Sequence, residues 1–157
     1  MIAVLQRAAS AAVTVEGRVT GKIDKGLLVL LGVGEGDTEK DAELLAAKVA
    51  KCRIFSDADD KMNLSVADIG GGVLVVSNFT LLANYRRGNR PDFLGAAAPD
   101  RANELYLYFV SLLRREIACV ETGEFGADMR ISLEADGPIT IVMDSEVLKQ
   151  PKKGATR

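Results

Sequence analysis

The feature that most constrains this chain is the unbroken apolar segment Leu27-Leu28-Val29-Leu30-Leu31-Gly32-Val33, introduced by the turn Asp24-Lys25-Gly26. A strand with one solvated face alternates apolar and polar side chains; a run without polar interruption belongs to a strand covered on both sides. Val73-Leu74-Val75-Val76, entered through Gly70-Gly71-Gly72, is a second strand of this kind. Strands buried on both faces need a layer above and a layer below, which points to an α/β layered domain.

Periodicity supplies the remaining elements. Residues 2–7 and 13–15 run apolar or alternate, with Glu16-Gly17 as a turn before Arg18-Val19-Thr20, so the first third reads as a β-meander. Asp37 or Thr38 can cap a helix over 38–51, on which Ala42, Leu45 and Val49 share one face. Arg53-Ile54-Phe55 reads as a short strand and 56–61 as a polar turn. That turn lacks the glycine and the final glutamate of a calcium loop, and no metal is expected. Pro99 fits the first turn of a helix whose apolar face is Ala102, Leu105, Tyr106, Phe109, Leu112 and Leu113. Between these elements, 83–98 form a long irregular stretch, and loops of that length inside a compact domain are usually functional. Met129, Ile131 and Leu133 alternate with polar residues, Asp136-Gly137-Pro138 reads as a hairpin-like turn, and Ile139–Met143 form a last strand. The expected fold is α/β and not doubly wound, a single domain over 1–145 with a polar, loose tail at 146–157.

Several chemistries are excluded by what the chain lacks. It has no histidine, which removes a Ser-His-Asp triad, a Cys-His pair and histidine-based zinc sites together. Cys52 and Cys119 are far apart and read as two buried thiols. The formal net charge of −2 argues against a strongly basic, non-specific nucleic-acid binder, and DNA is not an expected partner. Contact with an RNA end remains open, because Arg86, Arg87 and Arg90 cluster, as do Lys149, Lys152, Lys153 and Arg157; solvated surface is the simpler reading of both groups. No apolar run reaches the ~20 residues of a membrane span, and the start of the chain lacks the order of a signal peptide. A cytoplasmic protein with no membrane partner is expected.

Two segments are candidates for chemistry. Ser77-Asn78-Phe79-Thr80 closes a buried strand, where backbone N–H groups and a hydroxyl can converge on a carbonyl, although hydroxyls also serve simply to end strands. Gly137-Pro138 taken alone is a turn, and a cis X–Pro bond occurs in only about 5–6% of cases.

Taken together with the rest of the chain, these segments resemble the D-aminoacyl-tRNA deacylase family. The resemblance lies in Met1–Arg7, Gly26–Val33, Arg53–Asp57, Lys61–Leu64, Val75–Leu81, Arg90–Phe93, Thr122–Met129 and Asp136–Thr140, in order from residue 1 to about 144. It implies a homodimer of three-layer α/β/β subunits that hydrolyses the ester between a D-amino acid and the 3′ end of its tRNA, with the active site at the subunit interface. Glycine mischarged on tRNA(Ala) is a further substrate under this reading. The resemblance implies catalytic roles for Ser77, Phe79 and Thr80, and substrate contacts from Asn78, Phe125 and Met129. It also implies a cis Gly137-Pro138 peptide whose carbonyls hold the substrate ammonium, braced by Arg7, with no metal or organic cofactor. Where the family pattern usually has Gln this chain has Asn78, one methylene shorter, and Ala98 replaces a usual serine cap. Because no histidine is available to activate Thr80, the 2′-hydroxyl of the terminal adenosine is the expected proton relay, with Thr80 as nucleophile the competing route. A binding module that keeps the fold without the chemistry, and a deacylase shifted towards glycine or a small L-amino acid, are the rival readings.

Overall fold

A computed structural model of the chain describes residues 1–152. Eight strands and three helices follow in the order β1 (Ile2–Val15), β2 (Arg18–Ile23), β3 (Gly26–Gly32), α1 (Glu39–Ala50), β4 (Phe55–Ser56), β5 (Met62–Leu64), β6 (Gly72–Ser77), α2 (Pro99–Arg114), β7 (Cys119–Thr122), β8 (Arg130–Asp144) and α3 (Ser145–Lys149).

The two apolar runs are strands with both faces covered. β3 and β6 pair in parallel from Gly26↔Gly72 to Leu31↔Ser77. Leu27, Val29, Leu31, Val73 and Val75 face one core, which is completed by α1 and α2. Leu28, Leu74 and Val76 face a second core, closed by Ala8, Ala11, Val13, Val15 and Ile23 from β1 and β2. Both helices lie on the first side because each connects parallel neighbours, β3 to β6 and β6 to β7. α1 has Thr38 as its N-cap, with the Asp41 carboxylate accepting from the Thr38 N–H at 2.9 Å. α2 begins with Pro99 at its first position and has no side-chain cap at Ala98.

The N-terminal third is not a meander. β1 is one continuous strand, and its two halves take different partners on the same edge: Ile2–Ala8 pair with β3, and Ala11–Val15 with β2. The small residues Ala8-Ala9-Ser10-Ala11-Ala12 carry it through the interval where the sequence shows no strand signal. The β1–β2 turn has Glu16 at φ 50° and Gly17 at φ 75°, the paired left-handed conformation of a tight hairpin.

The C-terminal strand also departs from expectation. Asp136-Gly137-Pro138 is not a hairpin turn, because both of its flanks pair antiparallel with β1 in one direction, Arg130–Ala135 with Thr14–Ala8 and Thr140–Asp144 with Gln6–Ile2. Four residues, Asp136 to Ile139, stand opposite the single residue Arg7 and bulge out of the ladder. Smaller corrections concern Arg53-Ile54-Phe55, where the strand is Phe55–Ser56 and pairs with Met62–Leu64, and the cysteines. Cys52 is half-buried and Cys119 exposed, the latter because β7 is an edge strand.

The segment after residue 144 is ordered where it begins. Ser145 is buried, its hydroxyl donating to Asp41 Oδ1 at 2.6 Å, and Lys149 Nζ lies 2.7 Å from the same oxygen and 2.6 Å from Glu146. Lys149 is therefore an ion-pair partner and not solvated surface. Lys153 and Arg157 of the expected basic tail lie outside the described residues. Burial alone would raise the Asp41 pKa, but the bonds from Lys149, Ser145 and Thr38 outweigh it and hold the carboxyl well below the usual carboxylate range. A depressed folded-state value stabilises the fold above the unfolded value near 3.8, and the contribution is lost as pH falls further towards the folded value. Asp41→Asn should cost about 2–3 kcal/mol at neutral pH, below the usual range for breaking a buried pair because Lys149 is partly solvated. Thermal unfolding across pH should show this gap narrowing below pH ~4. A gap that stays constant down to pH ~2 would remove the charge from the explanation.

Candidate functional site

Where β6 ends at Ser77 the chain leaves the sheet. The Asn78 N–H donates to the Leu31 carbonyl at 2.8 Å, and residues Phe79–Leu82 wind into a 3-10 turn that packs on the end of β3. Gly32 permits this contact, since a Cβ there would lie 2.6 Å from the Leu82 side chain and 3.0 Å from the Asn78 carbonyl. As the first donors of the turn, the N–H groups of Phe79 and Thr80 have no acceptor inside it.

A cleft of ≈ 330 Å³ opens at this corner. Ser77, Asn78 and Phe79 form one wall, Pro99 at the start of α2 a second, and Phe125, Gly126, Ala127 and Met129 a third. Its supports are a set of bonds around Val75, whose carbonyl accepts both the Tyr106 hydroxyl at 2.8 Å and the Gly123 N–H at 3.1 Å. These tie α2 and the β7–β8 connection to β6. Burial pushes the Tyr106 hydroxyl up to about 12, so it stays a neutral donor. The Phe125 ring packs against Tyr106 with centroids 6.0 Å apart. Met129 crosses directly over Gly123, where a Cβ would lie 2.6 Å from its sulfur. At the mouth, Phe79 is 58% exposed and meets Phe93 edge-on at 5.2 Å.

The cleft wall contains no ionisable side chain. Thr80 sits beside it, and its hydroxyl donates to Asn78 Oδ1 at 2.5 Å. An amide oxygen accepts that proton without removing it, so the hydroxyl is held and not activated. Asn78, despite being shorter than glutamine, uses its side chain on this contact.

Five of the nine predicted site residues thus meet in one place: Ser77, Asn78, Phe79, Phe125 and Met129, with Thr80 adjoining. The other three are assembled elsewhere. Arg7, only 13% exposed, donates from NH1 to the Ile54 carbonyl at 2.8 Å and from Nε to the Asp136 carbonyl at 3.2 Å, and pairs with the Asp136 carboxylate at 3.1 Å. It fixes the root of the bulge that presents Gly137 and Pro138, both exposed and joined by a cis peptide bond. Gly137 has φ 134°, a region that side-chain-bearing residues rarely adopt. Ser77 aligns with Leu31 and Arg7 with Leu27, four positions apart on β3, and the bulge lies across β1 on β8. At ~3.3 Å per residue and ~4.8 Å per strand, bulge and cleft are on the order of 20 Å apart within one chain.

Sequence reasoning missed Pro99, Gly126 and Ala127 as cleft residues, and Tyr106 as a support. Tyr106 carried a legible signal, a hydroxyl on an otherwise apolar helix face that must find a buried acceptor. One group of carboxylates approaches a metal-like arrangement, Asp37, Asp41 and Glu146 within 4.8 Å of one another. It is neutralised from within the chain by the Met1 amino group, 2.8 Å from Asp37, and by Lys149.

Known proteins resemble this chain along most of its length. The model of the D-Tyr-tRNA(Tyr) deacylase family matches residues 4–144. A D-aminoacyl-tRNA deacylase of Koribacter versatilis is 56% identical over 146 residues, covering 93% of this chain and 98% of the relative. One from Paracoccus denitrificans is 59% identical over 145 residues, covering 92% and 97%. Among solved structures, a c-Myc DNA Unwinding Element Binding Protein superimposes with a TM-score of 0.87 at 37% identity, covering 92% of this chain and 98% of that one. A probable eukaryotic D-amino acid tRNA deacylase shares the fold with a TM-score of 0.76 at 16% identity, covering 90% and 97%. With a family match from Val4 in β1 to the last residue of β8, and relatives above half identity along nearly their whole length, the chain belongs to the D-Tyr-tRNA(Tyr) deacylase family.

Proposed function

We propose that this chain hydrolyses the ester bond of D-aminoacyl-tRNA in the cytoplasm, releasing the free D-amino acid and the tRNA. The observation that carries the mechanism is a cleft with no ionisable group beside a turn whose first N–H groups, those of Phe79 and Thr80, have no acceptor within it. Such a site can stabilise an oxyanion but cannot supply a general base. It suits a substrate that is already reactive and brings its own proton relay, and an aminoacyl ester beside a ribose 2′-hydroxyl is one. Water adds to the ester carbonyl, the oxyanion is held by the N–H groups of Phe79 and Thr80, and the C–O bond to the ribose breaks. The departing 3′-oxygen takes up the proton relayed through the 2′-hydroxyl.

Recognition of the amino acid is assigned to Gly137 and Pro138, acting in a homodimer of three-layer α/β/β subunits. Two features support an intersubunit site. The bulge is exposed and far from its own cleft, and β8 is a long edge strand whose solvent-facing side chains include Ile131, Leu133 and Val142, the last 68% exposed. Long apolar edge strands are rarely left bare. Main-chain carbonyls that bind the ammonium read a group every amino acid possesses, while an L side chain would be driven into the clamp. Glycine has no side chain to collide, so such a clamp cannot reject glycine mischarged on tRNA(Ala).

Three outcomes test this reading. D-Tyr-tRNA should lose its ester at substoichiometric protein while L-Tyr-tRNA survives; attack on neither would leave a binding module. Thr80→Ala should keep turnover within about tenfold, whereas a D-aminoacyl-tRNA ending in 2′-deoxyadenosine should fall by roughly a hundredfold or more. The reverse pattern would make Thr80 the nucleophile. Finally, Arg7→Ala and Phe79→Ala should each be impaired alone, and mixed, reassorted dimers should recover roughly a quarter of the normal rate, since half are mixed and each has one intact site. No recovery on mixing would place clamp and cleft in the same subunit.

A further inference from the structure

The excursion 83–98 is more firmly built than its composition implies. Asn84 and Asp92 bond to each other in both backbone directions, at 2.8 and 2.9 Å, and again through Asn84 Nδ2 and Asp92 Oδ2 at 3.1 Å. Their remaining side-chain oxygens accept the N–H groups of Arg86 at 3.3 Å and Leu94 at 3.2 Å. Beyond this closed neck, Phe93 packs on Phe79 at the cleft mouth, and the return limb is bonded to the end of β3 by Glu35 N–H to Gly95 and Ala97 N–H to Val33. The loop is therefore fixed at its return limb both to the cleft mouth and to the end of β3.

Its outer part presents Arg86, Arg87 and Arg90, all exposed. Among the described residues no carboxylate lies within ion-pairing distance of any of them, whereas Arg7, Arg18, Arg101 and Lys149 each have one. The nearest acid in sequence, Asp92, is engaged with Asn84 and Leu94. Three exposed, unpaired arginines within five positions of one loop are, in a chain of net charge −2, a local concentration of positive charge and not a general basicity. The adjoining cleft has no cation of its own. A substrate whose reacting end enters that cleft and whose body is a polyanion must be held from outside it.

We propose that Arg86, Arg87 and Arg90 form a phosphate-binding site for the sugar-phosphate backbone of the tRNA acceptor arm, adjacent to the ester-bearing end in the cleft. The proposal rests on the deacylase reading above. Guanidinium forks match phosphate oxygens two at a time, and phosphate contacts position the RNA without reading its sequence. A site built this way accepts different tRNAs equally, as a clamp blind to side-chain identity accepts different amino acids.

The test replaces all three arginines by glutamine in the full chain and compares D-Tyr-tRNA with D-tyrosyl-adenosine, which bears the same ester and no phosphate. At ~0.1 M salt the ratio of kcat/KM on tRNA to kcat/KM on the adenosine ester should fall at least about tenfold, through KM, and the log–log salt dependence on tRNA should become shallower by about 2–3. An equal loss on both substrates would make the loop a structural support of the cleft and overturn the proposal, as would an unchanged tRNA reaction. Binding of deacylated tRNA, followed by fluorescence anisotropy, needs no turnover. Equal affinity of wild type and R86Q/R87Q/R90Q overturns the proposal there too, while failure of the wild type on both D-esters would instead count against the deacylase reading.

Discussion

The arrangement rests on β1 being about twice as long as β2 and β3, the two strands that share one of its edges. One edge carries β8 along nearly its full length, and the other carries β3 and then β2 in succession. To serve both it must bend, and the change of core shows where. Ala3 and Leu5 point into the helix-covered core, while Ala8, Ala11, Val13 and Val15 point into the other. The alternation slips at Arg7, where β1 passes from one core to the other. A largely buried cation at the slip would be costly without partners, and Ile54 and Asp136 supply them. The same residue that makes the bend tolerable therefore anchors the bulge on the neighbouring strand.

This coupling explains which parts of the fold were legible. β3, β6, α1 and α2 were readable because each obeys a single environment along its length: two apolar faces for the strands, one for the helices. β1 and β8 were each divided in two because their environment changes midway, and a pattern rule sees a change of environment as an end. Asp136-Gly137-Pro138 has the composition of a turn, and nothing in those residues says that both flanks return to the same partner strand. The docking of α3 was illegible for a related reason. Ser145 and Lys149 look like surface residues until Asp41, more than a hundred positions away, is placed beside them.

Of the site, the residues contiguous in sequence were identified and their surroundings were not. Ser77-Asn78-Phe79-Thr80 is marked by ending a buried strand, and Phe125 and Met129 by the family pattern. Pro99, Gly126 and Ala127 reach the cleft only through the path of the chain, and their residue types carry no chemistry. The shortened amide at Asn78 was a possible defect in sequence. In the structure it accepts the Thr80 hydroxyl, which ties two residues of the turn together.

A cleft without charge has a consequence for how selectivity can be built. An ionisable catalytic group would bind the substrate's ammonium or carbonyl wherever it could reach, with either hand of amino acid. Backbone donors act only on an oxygen brought to one position, so stereochemistry can be enforced entirely by whatever holds the α-carbon. Under the proposed function, the chemistry at the end of β6 and the recognition at the β8 bulge are separable tasks on separate elements. The fold keeps both rigid by the same means, anchoring each to the doubly buried strands β3 and β6 or to the doubly paired strand β1.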